Sequence, residues 1–178
     1  MRAFIGVEFS EEIRARIDRA IEPLRPIQGV KWVEAQNLHL TLRFLGEIDG
    51  EQAIQSAMAS RFKGAAAPLV QVRNFGAFPE RGDPRVVWVG IGGQVAGLKD
   101  LWERAQTCAR DVGLGEDDHG FSPHVTVGRV KERGVRLPAI PPADFGEETL
   151  SKVILFESRL SPQGPAYVER FAVALALA

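Results

Sequence analysis

Two short stretches, NLHLTLRFLG at residues 37–46 and SPHVTVGR at residues 122–129, decide how this sequence is interpreted. Each one places a histidine two residues before a threonine, as HLTL at 39–42 and HVTV at 124–127. Side chains alternate between the two faces of a β-strand, so each stretch predicts a strand with one imidazole and one hydroxyl on the same face. The opposite, apolar face of each strand is expected to pack on a layer of helices.

The composition is that of a soluble globular protein. The chain has 178 residues, of which 45% are hydrophobic and 25% charged, which suggests one domain or two small lobes that share a core. The formal net charge of -1 argues against a protein that coats long nucleic acid, but it does not exclude local binding of one phosphate.

The single cysteine, Cys108, cannot form an internal disulfide, which fits a reducing cytoplasm. The N-terminal apolar run is too short for a signal peptide, and no run approaches the about 20 residues of a membrane span. We therefore expect a cytoplasmic protein with no membrane association.

The order of predicted elements favours an α+β fold. Several strands follow one another through short turns, which is typical of antiparallel sheets, and no GxGxxG or GxxxxGK[ST] nucleotide motif is present. Three helices are predicted from apolar residues at helical spacing. The first runs from Ile13 to Leu24 after an N-cap at Ser10, and the second follows a capping box at Asp49 and Gln52. The third runs from Val95 to Val112 and ends at a C-cap at Gly113. Strands are predicted at 3–9, 30–33, 38–45, 68–78, 85–91, 121–130, 152–160 and 167–175, with a long loop at 132–148.

The paired histidines suggest acid–base chemistry on a phosphodiester. Histidine titrates near neutrality, so one imidazole can accept a proton from attacking water while another gives a proton to the leaving alkoxide. In-line attack places these two events on opposite sides of phosphorus, and Thr41 and Thr126 can donate to its non-bridging oxygens. This chemistry needs no metal or cofactor. The simpler alternative is that each histidine only donates to a backbone carbonyl, next to a threonine common in strands.

The sequence resembles the two-histidine phosphoesterases, and specifically the RNA 2',3'-cyclic phosphodiesterases, also called 2'-5' RNA ligases. The matching runs are MRAFIGVEFS at 1–10, KWVEAQNLHLTLRFLGEI at 31–48, FGAFPERGDPRVVWVGI at 75–91, FSPHVTVGRV at 121–130 and FESRLSPQGPAYVERF at 156–171. The resemblance implies a single two-lobed domain over residues 1–178. It implies two antiparallel sheets related by a pseudo-twofold around a central cleft, with the helices outside.

The resemblance also implies an activity. Members hydrolyse a terminal 2',3'-cyclic phosphate of RNA to a 2'-phosphate, and some join tRNA halves through a 2'-5' linkage, so reverse ligation is a second activity open to the same site. We expect a monomer that binds RNA ends bearing the cyclic phosphate. Two alternatives remain at this point: a phosphodiesterase for another cyclic phosphate, such as ADP-ribose 1'',2''-cyclic phosphate, and a non-catalytic RNA-end binding module.

By the same resemblance His39 is the proton donor to the leaving oxygen and His124 the proton acceptor from water, while Thr41, Thr126 and Arg129 bind the substrate phosphate. Strict alternation sends Arg129, five residues after its histidine, to the opposite face unless Gly128 allows a bulge. Arg43, four residues after His39, has the parity to share the face of the first motif.

Other residues are predicted to have structural roles. His119 lies in a polar loop with Asp117 and Asp118, whose spacing matches no standard metal site, so we expect a solvated loop. Cys108 is predicted to be inert packing. The sequence leaves open which aromatic residue lines the cleft; the candidates are Trp32, Trp88, Trp102, Phe9, Phe78 and Phe121. Arg81 and Arg85 are predicted to belong to an ordinary charged turn.

Overall fold

The computed structural model of the protein describes residues 1–117 and 119–177, in which nine strands and three α-helices form an α+β fold. The helices are α1 (Glu11–Ile21), α2 (Gln52–Arg61) and α3 (Val95–Asp111). The strands are β1 (Arg2–Glu8), β2 (Val30–Trp32), β3 (His39–Glu47), β4 (Leu69–Phe78), β5 (Val86–Gly93), β6 (His124–Val130), β7 (Asp144–Thr149), β8 (Lys152–Ser161) and β9 (Gly164–Ala174).

All pairings between these strands are antiparallel, and the strand order is β7-β4-β5-β6-β3-β1-β8-β9, with β2 added beside β6. The two halves of this sheet meet at one residue pair, Leu40 of β3 opposite Val125 of β6. The predicted antiparallel α+β architecture is confirmed, and the two expected sheets are joined there into one. The pseudo-twofold relation between the halves stays a prediction. Because the junction lies between the two HxTx strands, both motifs stand at the centre of the molecule.

The helices pack on the apolar face of the sheet. Ile13, Ile17 and Ile21 of α1 are buried at the helical spacing that the sequence predicts, after Ser10 accepts a hydrogen bond from the backbone of Ile13 at 3.3 Å. They share one core cluster with the leucines and valines on the apolar face of β3 and β6. No helix in the described ranges combines the length and apolar character needed to cross a bilayer.

Two local predictions were wrong and one was confirmed. Residues 144–149 form strand β7 on the outer edge of β4, although the sequence predicts a loop there. Helix α2 has Glu51 as its N-cap residue, with no side-chain capping bond, so the predicted capping box at Asp49 and Gln52 does not form. Gly113 follows Val112, the last capping residue of α3, and has a φ of 82°, the left-handed conformation in which glycine commonly ends a helix.

Candidate active site

His39 begins strand β3, and both of its ring nitrogens have a partner. Nδ1 donates to the carbonyl of Asn37 at 2.7 Å, and Nε2 lies 2.8 Å from Thr41 Oγ1. Because a carbonyl can only accept, Nδ1 carries the proton, and in the neutral ring Nε2 accepts from the threonine hydroxyl. The two residues therefore lie on one face, as alternation predicts, and the lone pair of Nε2 is directed to the cleft side.

His124 begins strand β6 with a matching arrangement. Its Nδ1 donates to the carbonyl of Ser122 at 2.8 Å, the same two-residue backward contact that His39 makes. This contact fixes the tautomer and leaves Nε2 free for chemistry. Thr126 lies two residues on, and both side chains line the same cleft as His39 and Thr41. Both histidines thus donate to a backbone carbonyl, as expected if they had only a structural role, and this contact also orients the two rings.

An aromatic ring packs edge-on against each imidazole. Tyr167 of β9 lies with its ring centroid 5.0 Å from that of His39, at an interplanar angle of 84°. Phe78 of β4 has the same relation to His124, at 5.1 Å and 86°. Phe4 packs on His39 from another side at 4.7 Å. Sequence reasoning missed Tyr167 and Phe4, because the partner of a ring across a sheet is set by strand register.

The surroundings of His39 favour its neutral form in the ligand-free protein. Its pKa is lowered from 6.5 to about 4, mainly because the ring is buried; the hydrogen bond to Asn37 opposes this shift, and electrostatic interaction with Arg129 and His124 adds to it. A buried imidazole is harder to charge because it loses hydration. The site therefore holds one strongly shifted histidine next to a cationic group, an arrangement found frequently at functional sites.

Bulges in both motif strands decide which arginine reaches the cleft. Along β6, Val127 is an extra residue between the pairs Val87–Gly128 and Trp88–Thr126. The bulge reverses the alternation, so Arg129 shares the face of His124 and lines the cleft. The bulge that the sequence analysis named as the condition for Arg129 to face the cleft is therefore present in the structure.

The first motif has the same bulge, with Leu42 as the extra residue between the pairs Ile5–Arg43 and Gly6–Thr41. Although Arg43 borders the cleft, it is only 6% exposed. Its guanidinium donates to Gln106 of α3 at 2.6 Å and to the carbonyl of Gly115. The predicted parity of Arg43 was therefore wrong, and this arginine ties β3 to α3. Phe44, which is 58% exposed, occupies the position that corresponds to Arg129.

The cleft between the two halves has a volume of about 570 Å³. Of the aromatic candidates, Phe78, Trp102 and Phe121 line it, while Phe9 and Trp32 are buried in the core and Trp88 packs on Phe78. His119 and Asp117 lie at its border, and His119 is exposed, as expected for a solvated loop. Asp118 lies outside the described residues. Arg81 and Arg85 are exposed near the β4–β5 turn.

Cys108 is fully buried in α3, and burial raises the pKa of its thiol to about 12, which agrees with inert packing. Within residues 1–117 and 119–177, no group of three or more His, Cys, Asp or Glu side chains is arranged to hold a metal ion.

Two imidazoles from similar strands, each paired with a threonine and facing one cleft, define a two-histidine phosphoesterase site. Comparison with known proteins agrees with this class. The family model of the LigT-like phosphoesterases matches residues 7–88. The chain is 34% identical to the RNA 2',3'-cyclic phosphodiesterase of Archaeoglobus fulgidus, over 94% of this chain and 96% of the relative. It is 35% identical to the enzyme of the same name from Thermus thermophilus, over 97% and 90%.

Solved structures give the same result. The protein TT0787 of Thermus thermophilus superposes with a TM-score of 0.81 at 33% identity, covering 98% of this chain and 97% of the other. The E. coli LigT complex with 3'-AMP superposes with a TM-score of 0.80 at 26% identity, covering 98% and 97%. The chain belongs to the LigT-like phosphoesterase family.

Proposed function

We propose that this protein is an enzyme that hydrolyses the 2',3'-cyclic phosphate at the end of an RNA to a 2'-phosphate. Water attacks phosphorus, and His124 accepts the proton that the water loses. The bond from phosphorus to the 3'-oxygen breaks, and His39 donates a proton to that oxygen, which becomes the 3'-hydroxyl. Thr41, Thr126 and Arg129 hold the non-bridging oxygens, where the negative charge of the transition state is concentrated.

The observation that carries the proposal is the convergence of both HxTx pairs on one cleft. Each Nε2 is set by an identical backbone contact through Nδ1, so the two groups are oriented before a ligand arrives. The relatives named RNA 2',3'-cyclic phosphodiesterase and the E. coli LigT bound to 3'-AMP support a ribonucleotide phosphate as the ligand.

The low pKa of His39 places a condition on its role. With a pKa of about 4 the ring is mostly neutral at pH 7, so it must gain a proton before it can donate one. A bound phosphate brings negative charge next to the ring and raises this pKa, offsetting the positive charge of Arg129. Substrate binding and protonation of His39 are therefore coupled in our proposal, and the charged acid forms in the complex.

Turnover of cytidine 2',3'-cyclic phosphate in the presence of EDTA tests the proposal. We expect hydrolysis to a 2'-phosphate, identified by ³¹P NMR, and a loss on the order of 10²–10⁴ in kcat for each of His39→Ala and His124→Ala. Arg19→Ala, which removes an exposed side chain of α1 away from the cleft, is the control and should retain activity. Full activity of either motif variant would contradict the catalytic assignment, and loss with EDTA would contradict metal-independent catalysis.

A substrate with a better leaving group separates the roles of the two histidines. A 3'-S-phosphorothiolate analogue releases a thiolate, which needs no proton to leave. We expect this analogue to restore much of the lost rate in His39→Ala and little in His124→Ala, because only the first variant lacks the proposed acid. The opposite pattern would reverse the two assignments.

The acid and base roles proposed for His39 and His124 would also serve two other reactions. If the 5'-hydroxyl of a second RNA replaces water, the product is a 2'-5' linkage, so incubation with tRNA halves tests ligation directly. ADP-ribose 1'',2''-cyclic phosphate offers another strained cyclic phosphate to the same four residues. Relative kcat/KM on it and on a cyclic-phosphate-ended RNA decides which is preferred, and binding without turnover of any of them would favour an RNA-end binding module.

A further inference from the structure

Two basic residues stand side by side on the neighbouring strands β2 and β6. Strand β2 pairs with β6 so that Lys31 is directly opposite Arg129. Residues opposite each other across an antiparallel pair point to the same face with Cβ atoms about 4.5–5.5 Å apart, and like charges in this relation destabilise the sheet. Because Arg129 lines the cleft, its neighbour Lys31 is directed to the same side.

The Lys31 side chain reaches the other half of the molecule. Its Nζ lies 3.7 Å from the position that a Cβ on Gly164, the first residue of β9, would occupy. Asn37 holds this end of β9 by donating to the carbonyl of Pro165 at 2.9 Å. The ammonium group therefore lies between the β6 strand of one half and the beginning of β9 in the other.

Neither basic residue has an acidic partner among the residues that the structure describes. Some cations elsewhere in the protein are paired, as in the contacts Arg61–Asp111 and Arg170–Glu51, whereas Lys31 and Arg129 face each other. An unpaired like-charge pair costs stability, and a bound anion between the two groups would remove that cost. The position beside a phosphate site makes a second phosphate the anion of matching chemistry.

We infer that Lys31 binds a second phosphate group of the substrate, next to the cyclic phosphate that lies between the histidines. This inference rests on the proposed function and narrows its substrate class to molecules with two phosphate groups. In an RNA end the second group is the phosphodiester that links the terminal nucleotide to the preceding one. In ADP-ribose 1'',2''-cyclic phosphate it is the pyrophosphate. Trp102 and Phe121, whose rings pack together at 5.8 Å, also line the cleft and offer apolar surface to the nucleoside.

Three substrates with identical reacting ends test the inference: cytidine 2',3'-cyclic phosphate, the dinucleotide UpC ending in the cyclic phosphate, and that dinucleotide with a neutral methylphosphonate linkage. In Lys31→Met the ammonium is lost and the chain length is kept. We expect KM for the charged dinucleotide to rise about tenfold with kcat unchanged, because one charge-assisted contact is lost equally from ground and transition states. The other two substrates should be unaffected. Lys63→Met, an exposed lysine after α2, is the matched control.

Each outcome is decisive. Equal effects of Lys31→Met on all three substrates, or no effect on either the charged dinucleotide or ADP-ribose 1'',2''-cyclic phosphate, would overturn the inference while wild-type turnover of the mononucleotide still upholds the proposed function. A wild-type protein that hydrolyses none of the substrates would instead contradict the proposed function. If Lys31→Met raises KM only for ADP-ribose 1'',2''-cyclic phosphate, binding of a second phosphate by Lys31 is upheld, and that phosphate belongs to the pyrophosphate. The salt dependence of affinity gives an independent readout, since losing one phosphate contact lowers the slope of log K against log salt by about 0.7.

Discussion

The two catalytic candidates have the same local contact but different surroundings. Both histidines donate through Nδ1 to a carbonyl two residues earlier. Only His39 has its Nε2 against a threonine hydroxyl, and its ring is enclosed by Phe4 and Tyr167. A site that must give and take a proton needs two groups of unequal proton affinity. In the ligand-free protein, burial lowers the proton affinity of His39, so its proposed role as the acid depends on the substrate phosphate to raise that affinity.

We expect Arg129→Gln to raise the pKa of His39, because the variant loses a positive charge that now disfavours the imidazolium. An NMR titration of the His39 ring protons measures this, with the wild-type midpoint at about 4. Arg19→Gln, an exposed arginine on α1, is the control and should leave the midpoint unchanged. A midpoint that does not move in Arg129→Gln would show that the guanidinium is not near the ring.

The same pKa shift predicts an acid-dependent loss of stability. The folded pKa of about 4 lies below the reference value of 6.5, so between these values the unfolded chain binds a proton that the folded protein does not. Stability from this residue is present above pH 6.5 and is lost as the pH falls towards 4, by about 3 kcal/mol. Urea unfolding at pH 7 and pH 4 should show this extra loss in wild type relative to His39→Gln, which cannot titrate. Equal losses in the two proteins would contradict the shift.

The strands explain why only part of the site could be predicted from the sequence. Period-two alternation was enough to place His39 with Thr41 and His124 with Thr126, because each pair precedes its bulge. Beyond a bulge the parity reverses, so Arg43 and Arg129 exchanged faces relative to simple alternation. A bulge depends on the partner strand, and partner strands are distant in the chain. Strand β7 was missed for the same reason, since it pairs only with the edge of β4.

Gly128 is the residue that lets β6 carry its bulge close to the core. A Cβ at this position would lie 2.8 Å from Trp32 Cε3, a distance that real side chains do not adopt. We expect Gly128→Ala to lower the free energy of unfolding by about 1–3 kcal/mol and to reduce kcat/KM by displacing Arg129. Gly92→Ala on β5, where a Cβ meets nothing within 4 Å, is the matched control and should change stability by about 0.5 kcal/mol or less. Chemical denaturation measures both, and equal stability of the two variants would show that Trp32 yields freely.

At the scale of the whole molecule, the two halves are built from interleaved parts of the chain. The half that carries His39 contains β1 and β3 from the beginning of the chain and β8 and β9 from its end, whereas the half that carries His124 contains β4 to β7 together with β2 from the beginning of the chain. Helix α3 follows β5 but packs on β3, and Arg43 and Gln106 hydrogen-bond across that contact. Neither half is therefore a continuous segment, and the cleft between them exists only when the complete chain is folded.

This interleaving predicts a single cooperative unfolding transition. Leu155→Ala, which truncates a fully buried side chain of β8, should lower stability by about 2–5 kcal/mol. In a Trp102→Phe background the remaining tryptophans, Trp32 and Trp88, lie in the opposite half, on β2 beside β6 and on β5. We expect their fluorescence and the far-ultraviolet circular dichroism to shift to the same lower midpoint, because the loss in one half must unfold the other. Leu160→Ala, 86% exposed on the same strand, should leave both midpoints in place. A tryptophan transition that keeps the wild-type midpoint in Leu155→Ala would mean that the halves fold separately.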